Sequence, residues 1–188
     1  MKQYLIYLTV FALFSFIQCA SESAGSSDST NQTAKAQQTG NTYTPSTQTA
    51  LGIVIPATKA KAGESVCVPV AVKDFKGIVS MQHSINWDPK VLTFEKLQGF
   101  DLPNLGEANF GLTKTDQGMM GISWYDPSLK GINLDDGNKI YEICFKVVGT
   151  SGSSSKIRIT NDPVIIEVSN TAEHILGIPT GDGEVVVE

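Results

Sequence analysis

From Leu51 to Glu188 the chain consists of short runs in which apolar and polar residues alternate, separated by Gly, Pro, Asn and Asp about every ten residues. This spacing is typical of the strands of an all-β sandwich. No stretch repeats apolar residues at helical spacing over three turns, so we expect almost no helix. The strands are predicted at residues 51–56, 65–73, 77–87, 91–98, 107–113, 119–125, 139–148, 155–169 and 184–188. Asp162-Pro163 interrupts the eighth of them.

The alternation also predicts which side chains face the core, because successive residues of a strand point to opposite faces. Two core stripes are predicted: Val66, Val68, Val70 and Val72 in one strand, and Tyr141, Ile143, Phe145 and Val147 in another. Cys67 and Cys144 then point away from the core. In an immunoglobulin domain the paired cysteines point inward and bridge two sheets, so this pattern argues against that fold.

A bridge between neighbouring strands of one sheet fits the outward cysteines better. We expect Cys67 and Cys144 to be oxidised in an exported protein, with Cα atoms about 4.4–6.8 Å apart. Closing a loop of 77 residues stabilises the fold by about 4 kcal/mol in the chain-entropy model.

The N-terminus predicts export. Residues 1–18 hold a basic residue and then an apolar run that is too short to span a membrane, which is typical of a signal peptide. Cys19 follows at the position of the cysteine that is acylated in bacterial lipoproteins, and pairing of the other two cysteines leaves it as the odd one. We expect a lipoprotein of the outer membrane or cell surface that contacts the membrane only through a lipid on Cys19. The alternative is cleavage near Ala20, which gives a secreted protein.

Residues 19–50 are expected to form a flexible linker between this anchor and a folded domain at residues 51–188. From residue 21 onward the linker contains no Ile, Leu, Val, Phe or Trp, and Ser, Thr, Gln, Asn, Gly and Ala fill most of it. Such a segment buries too little apolar surface to offset its conformational entropy.

Several functional classes are disfavoured by the residues present. The net charge of -5 offers no basic field for nucleic acid. The chain's two histidines, His83 and His174, lie near no nucleophile signature, and His83 falls on a core stripe, so we expect no enzyme, no metal site and no cofactor. The run Asp135-Asp136-Gly137-Asn138 predicts a hairpin turn rather than a calcium loop.

Four segments resemble the cohesin family in their order and spacing. They are Gly63-Glu64-Ser65-Val66-Cys67-Val68-Pro69-Val70, Ile85-Asn86-Trp87-Asp88-Pro89 with Val91-Leu92, Ile140 to Phe145, and Gly183-Glu184-Val185-Val186-Val187. The resemblance implies a nine-stranded jelly roll whose second and seventh strands, which carry Cys67 and Cys144, are neighbours in one sheet. It also implies a non-catalytic module that binds a dockerin-like protein and is linked to polysaccharide degradation.

Cohesins bind dockerins through the outer face of the sheet formed by their third, fifth, sixth and eighth strands. Alternation places Val79, Met81, Ile85 and Trp87 inward in the third strand. The outward residues form a face that we expect to be flat and uncharged: Ser80, Gln82, Ser84, Asn86, Asn109, Gly111, Thr113, Gly121, Ser123 and Tyr125.

Two other functions remain open at this point. A carbohydrate-binding sandwich has the same architecture, although such proteins usually expose a row of aromatic rings, whereas Trp87 and Trp124 fall on core stripes here. A structural adhesin module would be expected to repeat, and the chain has no internal repeat.

Overall fold

The computed structural model describes residues 48–179 and 181–188. The signal peptide, Cys19 and almost all of the predicted linker lie outside the described residues. Within the described part of the chain, no helix is long and apolar enough to cross a membrane.

The described residues form two β-sheets packed face to face. The strands are β1 (Gly52–Val54), β2 (Ala57–Ala60), β3 (Ser65–Lys73), β4 (Ile78–Asn86), β5 (Leu92–Gln98), β6 (Phe110–Gly111), β7 (Met119–Tyr125), β8 (Lys139–Val147), β9 (Ser154–Thr160), β10 (Glu167–Asn170), β11 (Ile175–Leu176) and β12 (Gly183–Val187). Two short 3₁₀ helices, Glu107–Asn109 and Thr115–Gln117, are the described helices. The predicted all-β sandwich is confirmed.

The first sheet has the strand order β1-β3-β8-β5. The second has the order β11-β10-β4-β9-β12-β2, and β7 pairs with β4 and β6 with β7. One half of β4 pairs with β10 and the other half with β9, so β9 and β10 lie on the side of β4 opposite to β7. The predicted eighth strand is therefore two strands, separated by residues 161–166.

The core lies between the two sheets and follows the predicted stripes. Val68, Val70 and Val72 of β3 are fully buried, and so are the apolar residues of β8. Aromatic rings join the sheets, because Trp87 contacts Phe145 edge to face with ring centroids 5.2 Å apart.

The predicted strand at residues 107–113 is too long, and two short strands were missed. The first residues of the range 107–113 form a 3₁₀ helix instead of a strand. Asn109 Oδ1 stabilises this helix by accepting a hydrogen bond from the Gly106 N–H. Only Phe110–Gly111 pairs with β7. The strands β2 and β11 were not predicted. β2 has no apolar alternation and forms through backbone pairing with β12, which only the folded chain brings beside it.

Two local predictions about side chains also need correction. Val79 is only partly buried, because it is the extra residue of a β-bulge: β10 pairs Ser169 with Ser80 and Asn170 with Ile78, and Ile78 is buried instead. Residues Asp135 to Asn138 form a turn, but not a hairpin. The strand before them, β7, belongs to the other sheet and has no register with β8.

Candidate binding face

The disulfide joins Cys67 and Cys144, which are directly opposite one another on β3 and β8. The predicted pairing is confirmed, but the Cα atoms are 3.9 Å apart, closer than the range expected from the sequence. Both cysteines lie outside the core cluster. Cys67 is exposed, whereas Cys144 is buried, because it belongs to a central strand that β3 and β5 flank on both sides.

The outer surface of the first sheet around this disulfide is called here the disulfide face, and its polar groups bind one another. Glu142 Oε2 accepts a hydrogen bond from Gln98 Nε2 at 2.8 Å, and Lys139 Nζ lies 3.1 Å from Glu142 Oε1. These contacts hold the pKa of the Glu142 carboxyl below its usual value, with the Gln98 hydrogen bond as the largest cause. Ser65 Oγ of β3 donates to Glu95 Oε1 of the edge strand β5, which lies on the other side of β8.

The outer surface of the second sheet around Tyr125 is called here the tyrosine face. It comprises Ser80 and Gln82 of β4, Ser123 and Tyr125 of β7, and Glu167 of β10. The pairings Ser80 with Tyr125 and Gln82 with Ser123 bring four of the predicted residues together. Tyr125 is 62% exposed and is the last residue of β7, where it lies opposite Ser80 of β4.

Three further predicted residues lie along the margin of the tyrosine face. Asn109 donates from Nδ2 to the Ser123 carbonyl oxygen at 3.0 Å, so its amide holds the 3₁₀ helix against β7. Gly111 and Thr113 are exposed, although Thr113 lies in a turn after β6. Asn86 is at the far end, where its Oδ1 accepts a hydrogen bond from Thr160 Oγ1.

Ser84 and Gly121, by contrast, are buried, so the prediction that they are exposed is wrong. Both face outward as alternation predicts, and they pair with one another across β4 and β7. Val164, from the segment between β9 and β10, covers them. The residue patterns of β4 and β7 do not predict that Val164 covers Ser84 and Gly121, because Val164 lies about 80 residues after Ser84 in the chain.

The predicted uncharged character of the face also fails at the eighth strand. Glu167 lies opposite Gln82, and Arg158 of β9 lies opposite Asn86. Alternation applied separately on each side of Asp162-Pro163 would have found both, since Arg158 is outward in β9 and Glu167 is outward in β10. The face is therefore polar along β4 and β7 and charged along its β9 and β10 side.

Besides a small depression of about 90 Å³ on the tyrosine face itself, two larger ones lie on this side of the molecule. One, of about 190 Å³, is lined largely by apolar atoms of Gly111, Ile122, Pro163 and Val164 and borders Ser123. The other, of about 410 Å³, is polar and lies further along the sheet, where its charged lining is Asp88, Lys156, Arg158 and Glu184.

No catalytic arrangement was predicted, and the two histidines are separated in the fold. His83 is fully buried, which confirms its prediction as a core residue, and burial lowers its pKa to about 3. Neither of its ring nitrogens has a hydrogen-bond partner among the described residues. In the same part of the chain, no group of three or more His, Cys, Asp or Glu side chains is placed to hold a metal ion.

The described residues thus form a two-sheet sandwich with an exposed polar sheet face, and comparison with known proteins identifies its family. The Cohesin domain family matches residues 51–186, so the chain belongs to the cohesin family. No curated protein sequence matches the chain.

Solved cohesins share the fold at low sequence identity. The seventh ScaB type I cohesin of Pseudobacteroides cellulosolvens is 20% identical, with a TM-score of 0.62, and the match covers 75% of this chain and 94% of that one. The sixth cohesin of Acetivibrio cellulolyticus scaffoldin B, solved with a Cel5 dockerin, is 19% identical with a TM-score of 0.62, covering 74% and 100%. A non-cellulosomal cohesin from Archaeoglobus fulgidus is 19% identical with a TM-score of 0.52, covering 73% and 91%.

Proposed function

We propose that this protein is an exported, non-catalytic binding module that presents its tyrosine face to a dockerin-like protein. The observation that carries the proposal is the exposed Tyr125 ring on a polar face of the second sheet in a chain of the cohesin family. Structural neighbours from Acetivibrio cellulolyticus and Clostridium thermocellum are cohesins in complex with dockerins, which supports a partner of that class.

The chemistry of the tyrosine face suits a protein partner. An exposed tyrosine offers a large, rigid contact area at low entropic cost, and such residues dominate binding energy when they lie near the centre of an interface. Ser80 and Ser123 beside the ring are short, so a helix has space to approach it. The disulfide face lacks this combination, because its carboxylates already have partners within the sheet.

The test is binding of the full chain to a panel of dockerin-like modules encoded in the same genome, measured by calorimetry, with a pull-down on insoluble polysaccharides in parallel. We expect at least one dockerin-like module to bind with a Kd of micromolar or tighter. Retention on polysaccharide without any dockerin binding would contradict the proposal. It would favour the carbohydrate-binding alternative, for which the polar depression at Lys156 and Arg158 is the candidate site.

The proposed setting is the cell surface, in a system that degrades polysaccharides. Export by residues 1–18, acylation of Cys19 and a linker at residues 19–50 would place the domain clear of the membrane on a tether. At about 5–6 Å times the square root of its length, a chain of this kind reaches about 30 Å on average. Mass spectrometry of the mature protein tests this proposal: an acylated N-terminal Cys19 is expected, and an unmodified N-terminus at Ala20 or beyond contradicts it.

A further inference from the structure

The segment 161–166, called here the strap, crosses the outer surface of the second sheet. Ser84 Oγ accepts a hydrogen bond from the Val164 N–H at 2.6 Å and donates one to the Val164 carbonyl oxygen at 2.8 Å. The Asn161 side chain closes the strap on itself, because its Oδ1 accepts a hydrogen bond from the Ile166 N–H at 2.8 Å. One serine of β4 therefore satisfies both polar backbone groups of Val164.

Gly121 provides the space into which the Val164 side chain packs. A Cβ at residue 121 would lie 2.5 Å from Val164 Cγ2, so any larger residue would push the strap away. Ser84 and Gly121 are paired across β4 and β7, and together they form the seat of the strap. The strap thus occupies the middle of the surface that alternation assigned to the binding face.

What remains open is a trough beside the strap. Gln82 pairs with Ser123 on one side and with Glu167 on the other, so the three residues form one row across β7, β4 and β10. The strap bounds this row on one side and Tyr125 on the other. The depression of about 190 Å³ borders the β7 end of the row at Ser123 and extends from there between Gly111 and the strap. Its lining is mostly apolar but includes Lys114.

The opposite end of the row carries a negative charge. Glu167 is exposed, and among the described residues no lysine or arginine forms an ion pair with it. Two strand spacings of about 4.8 Å separate β7 from β10. An α-helix rises about 1.5 Å per residue, so about six to seven residues of a helix span this distance of about 10 Å.

We infer that the strap directs a partner helix along this row, so that the helix places an apolar side chain in the depression beside Gly111 and a basic side chain, about seven residues away, against Glu167. This inference rests on the proposed function, whose partner it specifies further. Residues seven apart lie on the same face of a helix, so one helix can make both contacts. The strap excludes a helix lying across Ser84 and Gly121.

Filling the depression tests the apolar contact. Gly111 has no positive φ and no atom within 4 Å of an added Cβ, so Gly111→Leu fills the depression without straining the fold. Gly106→Leu is the matched control, because Gly106 has equally open surroundings and extended backbone but does not line the depression. Against a dockerin-like module that the parent binds, we expect Gly111→Leu to raise the Kd at least tenfold and Gly106→Leu to change it less than twofold.

Charge reversal tests the other end. Glu167→Lys should raise the Kd at least tenfold at low salt, and changing the facing basic residue of the partner to Glu should restore binding to Glu167→Lys. A salt titration of the parent should show the weakening expected for an exposed ion pair.

The outcomes separate this inference from the proposed function. If Gly111→Leu and Glu167→Lys bind as tightly as the parent while Tyr125→Ala does not, the path along the row is wrong and the binding face stands. If no dockerin-like module binds the parent, the proposed function and this inference fail together.

Discussion

The two outer sheet faces have the same strand geometry but differ in how their polar groups are satisfied. On the disulfide face, Glu142, Gln98 and Lys139 form a connected cluster, and the cysteines are covalently joined. On the tyrosine face, Tyr125 is exposed and Glu167 has no ion pair among the described residues. A face whose groups already bind one another gains little from a partner. This difference supports our proposal that the first face stabilises the fold and that the second binds the partner.

The largest expected effect is on the disulfide face. The double variant Cys67→Ala with Cys144→Ala should lower the free energy of unfolding by about 4 kcal/mol, because the unfolded chain gains the entropy of a 77-residue loop. Urea unfolding of the parent and the variant measures the difference. At temperatures where the variant stays folded, partner affinity should be unchanged. A loss of binding by the folded variant would break the division between the faces.

The next effect is on the tyrosine face. Tyr125→Ala should weaken partner binding by about 2 kcal/mol, or roughly thirtyfold, and Gln82→Ala at least tenfold, because both side chains belong to the proposed interface and Tyr125 is its large exposed ring. Neither belongs to the core cluster, so the unfolding free energy should change by less than about 0.5 kcal/mol. Lys146→Ala on the disulfide face is the control. Lost binding in that control, with both tyrosine-face variants intact, would show that the faces are misassigned.

The buried histidine of β4, His83, should make the free energy of unfolding depend on pH. Burial lowers the pKa of His83 to about 3 from an ordinary value of 6.5, so the unfolded chain binds a proton more readily than the folded one between these values. Stability should fall as the pH drops below 6.5, by about 2 kcal/mol at pH 5 from this group alone. His83→Leu should remove this part of the dependence. An unchanged pH profile in His83→Leu would mean that other groups cause it.

The smallest effect concerns the polar cluster of the disulfide face. Glu142→Gln should lower stability by less than about 1 kcal/mol, because Lys139 is partly exposed and its ion pair with Glu142 is screened by solvent. Because the pKa of Glu142 is lowered in the folded protein, its carboxylate stabilises the parent above the pKa of the unfolded chain. This stabilisation is lost as the pH falls and the carboxylate is protonated. The stability difference between parent and variant should therefore shrink in acid. Partner affinity should be the same in both.

Much of the fold follows from alternation because each strand has one face on the core. Val68, Val70 and Val72 of β3 and the stripe of β8 are buried as predicted, Val66 is partly buried, and the outward placement of Cys67 and Cys144 led to the disulfide. Half-buried strands carry this information locally, since burial and side-chain direction both repeat with period two. The family resemblance added the strand order, which alternation alone does not contain.

The candidate site was predictable only in part, for a physical reason. Alternation determined that Ser80 and Gln82 face outward in one strand and Ser123 and Tyr125 in another, and the family resemblance placed these strands in one sheet. The sequence by itself also determined most of the core and the pairing of the cysteines. Only the tertiary structure decided that Ser84 and Gly121 lie under Val164, and that Glu167 stands beside Gln82. The direction of a side chain is set within its own strand. Whether an outward side chain is covered depends on other segments, and here Val164, about 80 residues after Ser84, crosses the sheet only in the folded chain.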